Sequence, residues 1–137
     1  MSITVINPAT GVSFDTVKAV SPEELNEVVE RAARAFIGWK TDLAARRAAL
    51  LACAEKMRAN VHMLARLVTQ EQGKPFAEAK VETMFAADII DWFAEEGKRV
   101  HGRIAQPRGA GQLAQVFKEP VGPVAAFTPW NFPINQV

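Results

Sequence analysis

The chain has 137 residues, one domain at most, and its 49% hydrophobic content is enough for a core. With 16 Lys+Arg against 15 Asp+Glu the net charge is +1, which leaves no basic field for nucleic acid or an anionic membrane. No apolar run approaches the length that spans a bilayer. Met1-Ser-Ile-Thr-Val lacks the charged start and apolar core of an export signal, so none is expected. The lone Cys53 excludes an internal disulfide and fits a reducing, cytoplasmic setting. His62, His101 and Cys53 show no metal-ligand spacing, and no metal is expected.

In chain order, Ile3–Ile6 and Val12–Val17 are short and β-branched or aromatic, around the turn residues Asn7-Pro-Ala-Thr-Gly11. They predict an antiparallel hairpin. Ser21-Pro22-Glu23-Glu24 reads as a helix start with a capping box. Leu25, Val28, Val29, Ala32, Phe36 and Trp39 then form one apolar stripe. Asp42 caps a second helix, on which Leu50, Cys53, Ala54 and Met57 share a face; this assigns Cys53 to the core rather than to a reactive thiol. Asn60 interrupts the pattern, and a further helical segment through Leu64, Leu67 and Val68 ends at Gly73, a natural carboxyl cap. Pro75 opens a long helix through Phe76, Val81, Met84, Phe85, Ile89, Trp92 and Phe93 to about Gly97. Glu78 and Glu82 lie one turn apart on it. Lys74 and Lys80 nearby make a solvated, salt-bridged face the expected reading, ahead of an acid–base pair, and Asp88 and Asp91 are read the same way. Arg103–Gln106 and Gln112–Lys118 read as strands around Pro107-Arg-Gly-Ala-Gly111. The glycine spacing there fits a dinucleotide pattern only loosely, and it opens a strand where a nucleotide loop opens a helix, so it is set aside.

The last stretch carries the most chemistry. Val121–Phe127 is almost wholly apolar without alternation, as in a strand buried on both faces of a parallel sheet. Pro129-Trp130-Asn131-Phe132-Pro133 then stops it, because each proline drives the preceding residue away from helical geometry. In open α/β sheets that carboxyl edge binds ligands. Spacing alone leaves two readings: a proline-bracketed turn whose aromatics are core, or a rigid amide, Asn131, placed to donate to an oxygen that gains negative charge.

Glu119-Pro-Val-Gly-Pro-Val-Ala-Ala-Phe-Thr-Pro-Trp-Asn-Phe-Pro133 closely resembles the signature of the NAD(P)-dependent aldehyde dehydrogenase superfamily. Asn7-Pro-Ala-Thr-Gly11, Glu71-Gln-Gly-Lys-Pro75 and Trp92-Phe-Ala-Glu-Glu-Gly-Lys-Arg99 agree in the same order, the last two looking most like the succinate-semialdehyde dehydrogenase branch. The resemblance covers the chain but only the amino-terminal part of the family's domain. It implies an α/β fold, incomplete here. Residues 1–20 and 102–118 would be oligomerisation-type strands, residues 21–100 a helical layer, and residues 121–137 the first strand of the parallel nucleotide-binding sheet with its Pro-Trp-Asn-Phe-Pro loop.

By the same resemblance Phe127, Thr128, Pro129 and Trp130 would line the ribose and nicotinamide side of NAD or NADP, and Asn131 would be the oxyanion-hole asparagine. The family's catalytic cysteine, general-base glutamate, ribose-binding lysine and pyrophosphate-binding helix all match positions beyond this chain, and Cys53 does not stand in for the cysteine. The resemblance thus implies part of a dehydrogenase that oxidises an aldehyde, such as succinate semialdehyde or a similar small carboxylated one, to the acid, as a homo-oligomer (dimer or tetramer), with this chain alone inactive. The alternative is a non-enzymatic truncated relative acting as an oligomerisation module. Either way, Val121, Val124, Ala126 and Phe127 should form an exposed apolar patch on this chain alone.

Overall fold

The computed structural model describes residues 2–136. Strand β1 (Ser2–Ile6) pairs antiparallel with β2 (Ser13–Lys18), Ser2 opposite Lys18 and Ile6 opposite Ser13, with the register shifting between Val5 and Ile6. The turn between them is built as its residues dictate. Asn7 Oδ1 accepts from the Ala9 N–H at 2.9 Å, and Gly11, at φ 71, returns its N–H to the Asn7 carbonyl at 2.8 Å.

Four helices follow: α1 (Pro22–Trp39), α2 (Leu43–Ala59), α3 (Val61–Gln72) and α4 (Phe76–Glu96). The local signals place their ends. Ser21 and Glu24 close a reciprocal capping box on α1. Asp42 accepts the Ala45 N–H at 2.8 Å on α2. Asn60 separates α2 from α3 and donates to the Lys56 carbonyl at 2.8 Å. Gly73 ends α3 in the left-handed region at φ 82. After α4 a short 3₁₀ turn (Gly97–Arg99) leads to β3 (Arg103–Ala105), which pairs antiparallel with β4 (Ala114–Val116). Gly102 lies so close to β4 that an added Cβ would stand 2.3 Å from the Val116 carbonyl oxygen.

The packing departs from what the large apolar residues suggest. The buried side of α4 consists of Ala79, Glu82, Thr83, Ala86, Ala87 and Ala94; the helix packs on α2, where Ala54 is buried, and on α3, whose Ala65 and Val68 cluster with Ala79. Small side chains let three helix backbones come close together. Val81, Phe85, Trp92 and Phe93, expected as the apolar stripe of α4, are exposed instead. The stripe on α1 is also largely uncovered, with Leu25, Val28, Val29 and Trp39 exposed and Ala32 and Phe36 half-buried. Cys53 is exposed too, which corrects its assignment to the core. It borders an open groove between α2 and α3 with Ala49, Met57 and Met63, while Ala54 beside it takes the buried position.

Ion pairs tie α2 to α4. Arg58 reaches Asp88 at 2.6 Å and Asp91 at 2.7 Å. Arg47 pairs with Glu95, and with Lys98 it holds the Glu95 carboxyl down at about 2.

Residues 121–129 carry no regular secondary structure, where a strand was expected over 121–127. A parallel strand exists only through its neighbours, and the two sheets among the described residues are the separate hairpins β1–β2 and β3–β4. The expected exposed patch is present, with Val121 at 92%, Val124 at 74% and Phe127 at 93% of full exposure. Val137 lies outside the described residues, so the expectation for 121–137 is read over 121–136.

Candidate functional site

Residues 127–130 are open to solvent apart from half-buried Thr128, and Trp130 is 78% exposed. Phe127, Pro129 and Trp130 therefore present bare apolar surface. Asn131, immediately after them, is placed very differently.

From residue 131 the chain turns back onto the helices, with turn geometry through 133–136. Four contacts hold it there, and an ion pair joins the two side chains that make three of them. The Lys74 ammonium donates to the Asn131 backbone carbonyl at 2.7 Å and stands 4.0 Å from the centre of the Phe132 ring. The same ammonium donates to Glu82 Oε2 at 2.5 Å. Glu82 Oε1 accepts the Ile134 backbone N–H at 3.1 Å. The Ile134 side chain packs on the core cluster of Ala65, Val68 and Ala79. The ion pair is well shielded, with side-chain exposures of 10% for Lys74 and 1% for Glu82. Each charge has further partners, as buried charges require.

This corrects the reading of Glu82 as part of a solvated face. Glu78 is exposed as expected, but Glu82 is 3% exposed and joins α4 to the turn. The signal was present in the sequence. Glu82 lies one turn from Ala79 and from Ala86, on the small-residue side of the helix, and an acid on a buried face needs a specific partner. The salt bridge expected near Lys74 does form, between Lys74 and Glu82, but it is shielded rather than solvated; Ile134 was not singled out in the sequence. Lys74 sits between Gly73 and Pro75 in the elbow joining α3 to α4, which fixes where its side chain starts.

The bond that holds Asn131 goes to its backbone carbonyl, and the residue itself is exposed. The amide group is thus left at the surface of a tethered turn. A groove of about 630 Å³ borders that turn, lined by Lys74 and Glu82 together with Val81, Phe85, Phe132 and Asn135, and Asn131 does not line it. Among the described residues no three His, Cys, Asp or Glu side chains are grouped to hold a metal ion, and no helix is long and apolar enough to cross a membrane.

Comparison with known proteins gives one consistent picture. Residues 1–137 match the aldehyde dehydrogenase family. The chain is 44% identical over 133 residues, 96% of its length, to 4-(hydroxymethyl)benzenesulfonate dehydrogenase of Comamonas testosteroni, of which it covers 28%. It is 43% identical over 137 residues, 99% of its length, to the NADP(+) succinate-semialdehyde dehydrogenase of Escherichia coli, again covering 28%. The crystal structure of succinate-semialdehyde dehydrogenase from Burkholderia pseudomallei is similar with a TM-score of 0.91 at 44% identity, over 99% of this chain and 28% of that one. The chain therefore spans little more than a quarter of the length of these relatives.

Proposed function

Since the chain belongs to the aldehyde dehydrogenase family, we propose that it forms the amino-terminal part of an NAD(P)-dependent enzyme that oxidises an aldehyde to the acid. Within that enzyme, Asn131 donates its side-chain amide to the aldehyde oxygen as negative charge develops there. The observation that carries this reading is the tethered turn: Asn131 is fixed through its backbone, which leaves its amide free to meet a ligand. A donor fixed in advance needs no reorganisation when charge appears, and this is what makes such donors effective.

Phe127, Thr128, Pro129 and Trp130 form the wall for the nicotinamide and ribose side of NAD or NADP. The fit to the cofactor is partial. Bare aromatic faces at Phe127 and Trp130 suit a flat ring, but the described glycines form no loop opening a helix of the kind that receives a pyrophosphate. When bound, the cofactor would take up the hydride. This chain's part is to wall its ring and hold the amide beside it.

The aldehyde is a small carboxylated one such as succinate semialdehyde, or another with an anionic group. The names of the two relatives compared share that feature, one a succinate semialdehyde and the other a sulfonate. Residues 1–20 and 102–118 supply oligomerisation strands. Support comes from two hairpins with no further partner strand among the described residues and from exposed Ile104 and Phe117 on and beside the second. Residues 21–100 form the helical layer behind the nucleotide half. Residues 121–127 become its first parallel strand once neighbouring strands cover them. The setting is cytoplasmic, in keeping with a single free cysteine.

The test is kinetic. In the whole enzyme, Asn131→Ala should lower kcat about 100- to 1,000-fold, the usual loss for one oxyanion donor, with KM little changed. Wild-type turnover by that variant would remove the role given to Asn131. The 137-residue chain alone should give no aldehyde-dependent NAD(P)H, and its formation would show that the missing chemistry is supplied within this chain.

A further inference from the structure

We propose that the Lys74–Glu82 pair is the positioning device for Asn131: it sets the plane of the Asn131–Phe132 peptide and thereby aims the amide. The proposal rests on the oxyanion role given to Asn131 above. Lys74 contributes one cation to three targets, the Glu82 carboxylate, the Asn131 carbonyl and the face of Phe132. Glu82 uses its two oxygens on two different partners, Lys74 and the Ile134 N–H. The pair therefore grips the chain just at Asn131 and again at Ile134. Between them lie Phe132 and Pro133, one under the ammonium and the other with φ fixed by its ring.

Core packing alone does not account for this arrangement. Ile134 already anchors the turn on Ala65, Val68 and Ala79. A buried ion pair is a costly way to add stability, because an apolar pair of similar volume often serves as well or better. What the charges add is direction. A peptide oxygen held by an ammonium at 2.7 Å cannot rotate away without leaving a shielded cation short of a partner. Lys74 and Glu82 touch neither aldehyde nor cofactor in this proposal and act only through Asn131.

The experiment separates aiming from folding. In the whole enzyme, Lys74→Met should lower kcat about 100-fold, the loss expected when a reacting group is misplaced by roughly 1 Å, with KM for the aldehyde nearly unchanged. That single variant also strands Glu82 and should melt at a lower temperature. The double variant Lys74→Met/Glu82→Gln removes both charges while Gln can still accept the Ile134 N–H, so its Tm should recover while kcat stays low. Added to Asn131→Ala, the double variant should cost little more, because the group it aims is already gone.

Recovery of kcat together with Tm would overturn the proposal and leave Lys74 and Glu82 as structural residues only. Full additivity with Asn131→Ala would overturn it as well. Asn131→Ala turning over like wild type is a separate outcome, which removes the oxyanion reading on which the proposal stands. If Lys74→Met fails to fold, the double variant carries the test by itself.

Discussion

Residues 121–130, almost wholly apolar, and residues 131–136, half of them side-chain amides, are adjacent and share prolines and aromatics, yet they end in opposite conditions. The first set has no strand pairing and little cover beyond half-buried Gly122 and Thr128, and Val121 and Phe127 are almost fully exposed. The second is tied to α3 and α4 by a shielded ion pair, two bonds to its backbone and one partly buried aliphatic side chain packed against the core. The more apolar of the two is the less covered, so apolar content did not decide burial. What decided it was whether the chain supplied a complementary partner. A turn can be satisfied by a few side chains from nearby helices, whereas a parallel strand needs whole neighbouring strands to occupy its N–H and C=O groups.

The largest way to break this contrast is Glu82→Ala. It would leave the Lys74 ammonium shielded and without its carboxylate and the Ile134 N–H without its acceptor, at a cost of about 3–5 kcal/mol. Denaturant melts of this chain would measure it. A cost well below that range would mean that Ile134 holds the turn alone. A second test works on the helices. Arg47, and then Lys98, hold Glu95 down at about 2 in the folded chain, below the ordinary 4.5. A depressed carboxylate contributes stability above its ordinary range and loses it as pH falls through the folded value. The thermal midpoint should therefore decline between pH 4.5 and 2, and Arg47→Met should flatten that decline. An unchanged pH profile in the variant would remove the pair from the account. The smallest effect is expected at the bare run. Phe127→Ser should change the stability of this chain by no more than about 0.5 kcal/mol, since a side chain with no cover has no packing to lose. A large loss would show that the run is packed in solution.

Much of the helical order was legible because its signals are local. Ser21 with Glu24, Asp42, Asn60 and Gly73 each act on backbone groups within one turn, and each stands at a helix end. The faces were less legible. Hydrophobic periodicity gives most weight to the largest side chains, so α4 read as a helix buried through Phe85, Trp92 and Phe93, while its packed side is alanine. Cys53 was misjudged for the same reason, sharing a stripe with large residues that themselves remain partly open. In the site, Asn131 and its flanking residues could be read from the motif. That Glu82 would pair with a nearby lysine could be read too, but the burial of the Lys74–Glu82 pair could not, because charge spacing along a helix shows which residues are neighbours and not which of them the fold covers. The position of Glu82 among alanines held that information, but only once the buried side of α4 was known.

Lys74 sits at the hinge-like bend where α3 gives way to α4. From there its side chain crosses to grip a carbonyl in a sequence-distant turn, so the angle between two helices and the direction of one peptide group become mechanically linked. A disturbance that pivots α4, even from its far end near Glu95, would swing the Asn131 carbonyl like the tip of a lever.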